Sequence, residues 1–264
     1  MKLAFIGAGK MASAIAAGLV DNGVMAKEEM IAADISAEAR DHFTELTGVS
    51  CYDSAAAVLE SAETVILAVK PQVAEQVARP LAALCGGTLI ISIAAGITTS
   101  RLGDWFSNNR VIRVMPNTPL MVRQGATVFT CGAGVTSEDR AFASEVFGTL
   151  GVVVEAAESQ MDAVTALSGS GPAYVFALIE ALVCGAESLG LPQPMALELA
   201  VQTVAGAAEM LKRKLGTPEE LRRAVTSPGG TTAAGLAVLE RENFADTINA
   251  VLQAAAERSR QLGS

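Results

Sequence analysis

The chain opens with four apolar residues, Leu3-Ala4-Phe5-Ile6, and short apolar runs of this kind recur over the first 155 positions. They are Met30-Ile-Ala-Ala-Asp34, Thr64-Val-Ile-Leu-Ala-Val69, Thr88-Leu-Ile-Ile-Ser-Ile93 and Arg110-Val-Ile-Arg-Val-Met115, then Ala126–Cys131 and Val152–Glu155. A continuous apolar run of this length suits a strand buried on both faces of a parallel sheet. Between the runs the pattern predicts helices over residues 13–22, closed by Gly23, over 37–47, near 54–60, from Pro71 onward, and from the cap Thr136 to about 150. Such strand–helix alternation predicts a doubly wound α/β domain.

After about residue 160 no strand pattern returns. A helical region over Asp162–Leu167 is broken by Ser168-Gly-Ser-Gly-Pro172 and resumes over Ala173–Leu189 with apolar residues on nearly every face. A helix apolar all round is buried in a core or against another subunit. Further helices are predicted from Pro194 to about Lys214, after the capping box Thr217-Pro-Glu-Glu220, from about Ala233 and from Ala245, with Ser227-Pro-Gly-Gly-Thr-Thr232 as a glycine-rich break. The predicted division is an α/β domain over 1–159 and an all-helical domain over 160–264 that completes its core by dimerising.

The first turn carries the sharpest chemical signal. Gly7-Ala8-Gly9-Lys10-Met11-Ala12 follows a buried-type strand and opens a helix, as in a dinucleotide-binding βαβ unit of the Rossmann type. Gly7 suits the tight turn, Gly9 the approach of a pyrophosphate, and Ala12 the packing of helix on strand, with phosphates on the free N–H groups at the helix start. A tight βα turn without a ligand is the competing reading. Asp34 stands 22 residues beyond Ala12, where such folds place the group that meets the adenine ribose. A carboxylate there favours the hydroxyls of NAD, whereas Ser36 and Arg40 could accept the 2′-phosphate of NADP. The alternative is that Asp34 caps the next helix.

Other strand ends point to the same crevice. They are Ala68-Val69-Lys70-Pro71; Ala94-Ala95-Gly96, small enough for a flat ring or simply a turn; and Pro116-Asn117-Thr118-Pro119. Asn117 either bonds a nicotinamide amide or the substrate, or satisfies its own loop.

Composition narrows these readings. A net charge of −9 argues against a nucleic-acid partner. No apolar run of roughly 18 residues suggests a membrane span, and no cleavage-site pattern follows the first strand, so the expected location is the cytoplasm. Cys51, Cys85, Cys131 and Cys184 form no Cys-x-x-Cys pair and read as buried thiols, not as metal ligands.

The one histidine, His42, lies on a polar helix and reads as solvated. A carbonyl reductase must protonate a developing alkoxide, yet the helical half offers only Lys212, Lys214 and Tyr174. A protonated imine brings its own proton, so its reduction needs positioning and a carboxylate anchor more than an acid. Ser168–Pro172 and Ser227–Thr232 could hold such an anion; Gly229-Gly230-Thr231-Thr232 is more than a helix-joining turn needs.

At this point the chain resembles pyrroline-5-carboxylate reductase over its whole length. The matching pieces are Phe5–Ala12, Ala68–Pro71, Ser92–Gly96, Arg113–Pro119, Asp162–Tyr174, and Ser227–Thr232 continuing through Gly235 and Leu239-Glu240. The resemblance implies NADPH- or NADH-dependent reduction of 1-pyrroline-5-carboxylate to L-proline by a homodimer or an assembly of dimers. It implies that Gly7, Gly9, Lys10 and Met11 form the phosphate turn, with Asp34 at the ribose and Ala68–Pro71 and Ala94–Gly96 beside the cofactor; Ile6 and Ala8 of the same turn, and Asn117, complete the candidate cofactor contacts. It places the substrate carboxylate at Ser227, Gly229, Gly230, Thr231 and Thr232, with Thr232 near the ring nitrogen. Asp34 departs from members with a small polar residue there. The alternatives are a β-hydroxyacid dehydrogenase, whose helical lysine is missing from Ala173–Leu191, and a non-catalytic NADP-sensing protein.

Overall fold

The computed structural model describes residues 2–60 and 62–263. Its strands are β1 (Leu3–Ile6), β2 (Met30–Ala33), β3 (Cys51–Tyr52), β4 (Thr64–Leu67), β5 (Leu89–Ser92), β6 (Arg110–Met115), β7 (Gly125–Cys131) and β8 (Gly151–Glu155). They form one sheet in the order β3-β2-β1-β4-β5-β6-β7-β8. Neighbours run parallel except β6 and β7, which are antiparallel. Chain order reverses between β1 and β4, which makes the crevice above their C-terminal ends the topological switch point.

Alternate residues of the same strands feed two cores. Phe5, Ile66, Ile91 and Ile112 pack with α1 (Lys10–Asp21), α2 (Ala37–Thr47) and α6 (Ser137–Gly148) through Ile15, Leu19, Phe43 and Phe147. Phe5 and Phe43 bring their ring centroids to 5.8 Å. Ile6, Val65, Leu67 and Ile90 pack on the other face with α3 (Ala55–Leu59), α4 (Pro71–Leu81) and α5 (Thr99–Trp105) through Val58, Ala78, Leu102 and Trp105. Burial on both faces is why these strands read as unbroken apolar runs. Thr136 and Asp139 cap α6 reciprocally, as expected of a capping box.

The helical half contains α7 (Met161–Val164), α8 (Gly171–Ser188), α9 (Gln193–Lys212), α10 (Pro218–Ala224), α11 (Thr231–Arg241) and α12 (Phe244–Gly263). One expectation is corrected here. Ser168–Pro172 does not break the helix: Thr165–Gly169 is a π-helical turn that joins α7 to α8. The Ser170 N–H donates to the Thr165 carbonyl at 2.8 Å, while the Thr165 and Ser168 hydroxyls donate to the carbonyls of Met161 and Val164. These groups serve the helix and are not held out to an anion.

Continuity through the π turn also yields a 31-residue helical stretch, Glu158–Ser188, long and apolar enough by length and composition to cross a membrane. No uninterrupted apolar run marks it in the sequence, because Ser168–Pro172 has the composition of a gap.

The chain up to Ser170, rejoined from Gln253 onward, forms one compact unit, and Gly171–Leu252 forms another. The change of texture near 159/160 falls earlier than this boundary. The difference arises because α7, the π turn and the end of α12 pack on the α/β part. The Ser259 hydroxyl donates to Asp162 at 2.6 Å, and an Arg101 amino group donates to the Gly263 carbonyl at 3.3 Å. Buried Arg113 pairs with Glu158, whose other oxygen accepts from the Thr99 N–H and hydroxyl at 3.1 and 2.7 Å.

Candidate active site

Three strand ends meet above the switch point. β1 leads into Gly7, whose φ of +101° suits glycine alone; a Cβ there would lie 2.7 Å from the Ala68 carbonyl oxygen. The Gly7 N–H donates to the Ala33 carbonyl and the Ala68 N–H to the Ile6 carbonyl, both at 2.8 Å. These bonds clamp the turn between β2 and β4. Gly9 is the N-cap of α1, and a Cβ on it would meet nothing within 4 Å, so the space above the turn is open. The first backbone bond of α1 runs from the Ser13 N–H to the Gly9 carbonyl at 2.9 Å. It leaves the N–H groups of Lys10, Met11 and Ala12 without helical partners at the positive end of the helix dipole. The helix therefore starts at Lys10, three residues earlier than its periodicity suggested.

A cavity of about 370 Å³ opens beside this turn. Gly9, Lys10 and Met11 form one wall; Ala68, Val69 and Lys70 a second; Met115–Thr118, Ile93 and Gly169 close the rest. Lys70 is the N-cap of α4 with Pro71 at the first helical position, as the sequence predicts. An open anion-binding helix start beside a largely apolar cleft fits a dinucleotide, with the pyrophosphate on α1 and a flat ring in the cleft.

The remaining predicted residues fall in different places. Ile6 and Ala8 are buried, so what they present to the crevice is backbone. Ala94 and Gly96 are buried too, and Gly96 backs onto Leu262 and Gly263; in this stretch Ile93 lines the cavity.

Asn117 lines the cavity, but its carboxamide serves the backbone: Oδ1 accepts from the Ala126 N–H at 2.8 Å and Nδ2 donates to the Ser168 carbonyl at 3.1 Å. The second bond has a physical reason. Pro172 lacks the N–H that would reach back four residues to Ser168, and Asn117 supplies a donor in its place. The loop-satisfying alternative describes Asn117 better than a cofactor amide bond. Nothing in the local sequence signals this pairing, because the partners are 51 residues apart.

Asp34 does not cap α2; Ser36 does, its hydroxyl oxygen accepting from the Ala39 N–H at 3.3 Å. The Asp34 carboxylate instead accepts from the Ala8 N–H at 2.8 Å and the Ser36 N–H at 2.9 Å, tying the end of β2 to the glycine turn. Cys51 lies in the same corner. Burial, and then the nearby Asp34 carboxylate, push its thiol up to about 11, so it is an unreactive thiol at neutral pH.

In the helical unit, Gly229 turns the chain at φ +69° and Gly230 caps α11 without help from a side chain. The Gly230 N–H donates to the Ser227 carbonyl at 3.0 Å, and the first bond of α11 runs from Ala234 to Gly230 at 3.1 Å. The N–H groups of Thr231, Thr232 and Ala233 thus lack helical partners, and both threonines are exposed. This is the predicted glycine-rich break, with donors in place for an anion.

Residues 158–262 match the family model for pyrroline-5-carboxylate reductase dimerisation, and residues 2–96 that for NADP oxidoreductase, coenzyme F420-dependent. The chain is similar to the pyrroline-5-carboxylate reductase of Arabidopsis thaliana, with 44% identity covering 99% of this chain and 95% of that protein. It resembles the solved reductase of Coxiella burnetii at a TM-score of 0.92 and 37% identity, covering 100% of this chain and 98% of that one. The Plasmodium falciparum enzyme, solved with NADP bound, superposes at a TM-score of 0.91 and 32% identity over 100% and 98% of the two chains. With relatives matched from end to end and a dimerisation domain in its helical half, the chain belongs to the pyrroline-5-carboxylate reductase family.

Proposed function

We propose that the protein reduces 1-pyrroline-5-carboxylate to L-proline, the last step of proline biosynthesis, using NADPH or NADH. The observation that carries this reading is end-to-end identity to reductases of that name, together with an α1 turn and cleft that fit a dinucleotide. Bound there, the cofactor supplies hydride to the C=N carbon of the pyrroline ring. The residues do the rest. The α1 start, Gly7 to Met11, holds the pyrophosphate; Ala68–Pro71 and Ala94–Gly96 flank the cofactor; Asp34 faces the adenine ribose. The N–H groups and hydroxyls of Ser227–Thr232 hold the substrate carboxylate, and Thr232 orients the ring nitrogen. An imine that arrives protonated yields a neutral amine on reduction, which agrees with a substrate loop, Ser227–Thr232, that carries no carboxyl, lysine or histidine.

The working unit in this reading is a homodimer or an assembly of dimers, in the cytoplasm. Its support is the dimerisation family match and the exposed apolar side chains of α8 and α9, among them Phe176, Leu178, Leu182 and Leu199. A second copy covering this surface also accounts for the apolar Glu158–Ser188 helix without a bilayer. The test is the loss of nicotinamide absorbance when purified protein, NADPH or NADH, and 1-pyrroline-5-carboxylate are mixed. Substrate-dependent oxidation with at least one cofactor is expected; none with either overturns the reading.

A further inference from the structure

We infer that Glu158 is a positioning residue for the cofactor: a carboxylate outside the cleft holds several of its walls in place at once. The inference rests on the dinucleotide reading of that cleft. Glu158 opens a short 3-10 turn, Glu158–Gln160, that leads into α7. Its Oε1 pairs with Nη1 of Arg113, and its Oε2 accepts from the Thr99 N–H at 3.1 Å and the Thr99 hydroxyl at 2.7 Å. Glu158, Arg113 and Thr99 do not line the cavity, yet each is tied to a segment that does. Thr99 is the first residue of α5 and closes the connection that begins at the wall residue Ile93. Arg113 lies on β6 just before the wall residues Met115 and Pro116, in register with Ser92, the neighbour of Ile93. Glu158 itself heads the run through buried Met161 to the π turn, whose Gly169 is a further wall residue.

Both sides of this arrangement depend on the carboxylate. The Arg113 side chain is 3% exposed, and its Nη2 finds no partner among the described residues, so Glu158 is what compensates its buried charge. The Thr99 N–H belongs to the first turn of α5, where no carbonyl of the helix can take it. Glu158 brings the acceptor from elsewhere in the chain. The connection between Ile93 and Thr99 is then fixed at both ends, since the Ala94 N–H donates to the Ser92 hydroxyl oxygen at 3.3 Å. In its middle, Gly96 turns at φ +80° and packs on Leu262 and Gly263. Without the carboxylate the head of α5 loses its tether, and the Ile93 and Met115 walls are free to shift against each other. A shift on the order of 1 Å in a preformed site is costly.

The test is titration calorimetry of the full chain with NADPH, beside unfolding in urea, for the wild type, Glu158→Leu, the double variant Glu158→Leu with Arg113→Met, and Thr99→Val. Glu158→Leu should bind NADPH roughly tenfold more weakly and unfold at lower urea. The double variant replaces the buried ion pair by apolar side chains, so its urea midpoint should recover, whereas its NADPH affinity should stay low because Thr99 still lacks its acceptor. Thr99→Val removes the hydroxyl bond and leaves the ion pair intact; it should weaken binding about threefold and add nothing to Glu158→Leu. That variant decides the matter if either Glu158 variant does not fold. NADPH affinity that returns together with the urea midpoint in the double variant would make Glu158 a stabilising residue only and overturn the inference, as would wild-type affinity in Thr99→Val. Wild-type protein that binds neither NADPH nor NADH would overturn the dinucleotide reading itself, and the inference with it.

Discussion

The α/β unit and the helical unit treat their apolar residues in opposite ways. In the first, sheet residues such as Phe5, Ile66, Ile90 and Leu67 are sealed between helices on both faces. In the second, the only buried cluster among the described residues is Val183 with Ala196 and Ala200, while Phe176, Leu182 and Leu199 stand exposed. Fully burying one such side chain is worth about 1.5–3 kcal/mol, so the helical unit leaves much of its stabilisation to be gained from another surface. The α/β unit presents an open, charge-accepting turn instead. One unit leaves a helix start open, the other an apolar face.

The largest expected effect breaks the second half of that contrast. Leu178→Asp with Leu182→Asp places two charges one turn apart on α8. By sedimentation velocity the double variant should dissociate, with association weakened by about 3–6 kcal/mol if both leucines are covered. An assembly of unchanged size would place the contact elsewhere.

Next comes Asn117→Ala, which leaves the Ser168 carbonyl and the Ala126 N–H without their partner. Unfolding in urea should show a loss of about 2 kcal/mol. A loss that shrinks when Pro172 is also replaced by Ala, with only the Ala126 N–H still unpaired, would confirm that Asn117 substitutes for the missing N–H.

Thr232→Ala divides the two units by function. Turnover should fall about tenfold, or about 1.4 kcal/mol, while NADPH affinity, set by the α1 turn, stays within twofold or so. Steady-state kinetics identical to wild type would remove Thr232 from the mechanism.

The smallest effect lies in the α/β unit. Burial alone would raise the Asp139 carboxyl, yet its bonds from Arg110 at 2.6 and 3.2 Å and from the Thr136 N–H hold it below the ordinary value. A depressed carboxyl stabilises the fold above its unfolded pKa and loses that contribution as the pH falls through the folded one. Asp139→Asn should therefore lose about 1 kcal/mol of stability near neutral pH, with the difference from wild type full above pH ~4 and fading as the pH falls below it.

Much of the α/β unit was legible because its physics is local and repetitive. Strands buried on both faces must be apolar throughout, and a glycine turn before a helix leaves its mark within six residues, Gly7 to Ala12. β3 escaped because two residues, Cys51 and Tyr52, carry no period. The strand ends were read too far: Ala68, Val69 and Ile93 continue the apolar pattern but lie beyond the sheet, where they line the cavity.

The π turn was hidden for the opposite reason. Ser168-Gly-Ser-Gly-Pro172 has the composition of a break, and only the distant Asn117 makes a helix there satisfiable. The split of Asp34 between two N–H donors was equally invisible, since Ala8 is 26 residues away. What the sequence could supply for Asp34 was its position, and for Ser227–Thr232 its donors.

The central claim is reduction of a ring imine by hydride transferred directly from the cofactor. The most direct test uses nicotinamide cofactor bearing deuterium at both C4 positions, with 1-pyrroline-5-carboxylate and mass analysis of the product. The account predicts L-proline carrying one deuterium, on the ring carbon beside nitrogen that does not bear the carboxylate. Unlabelled proline, or no proline at all, would contradict it.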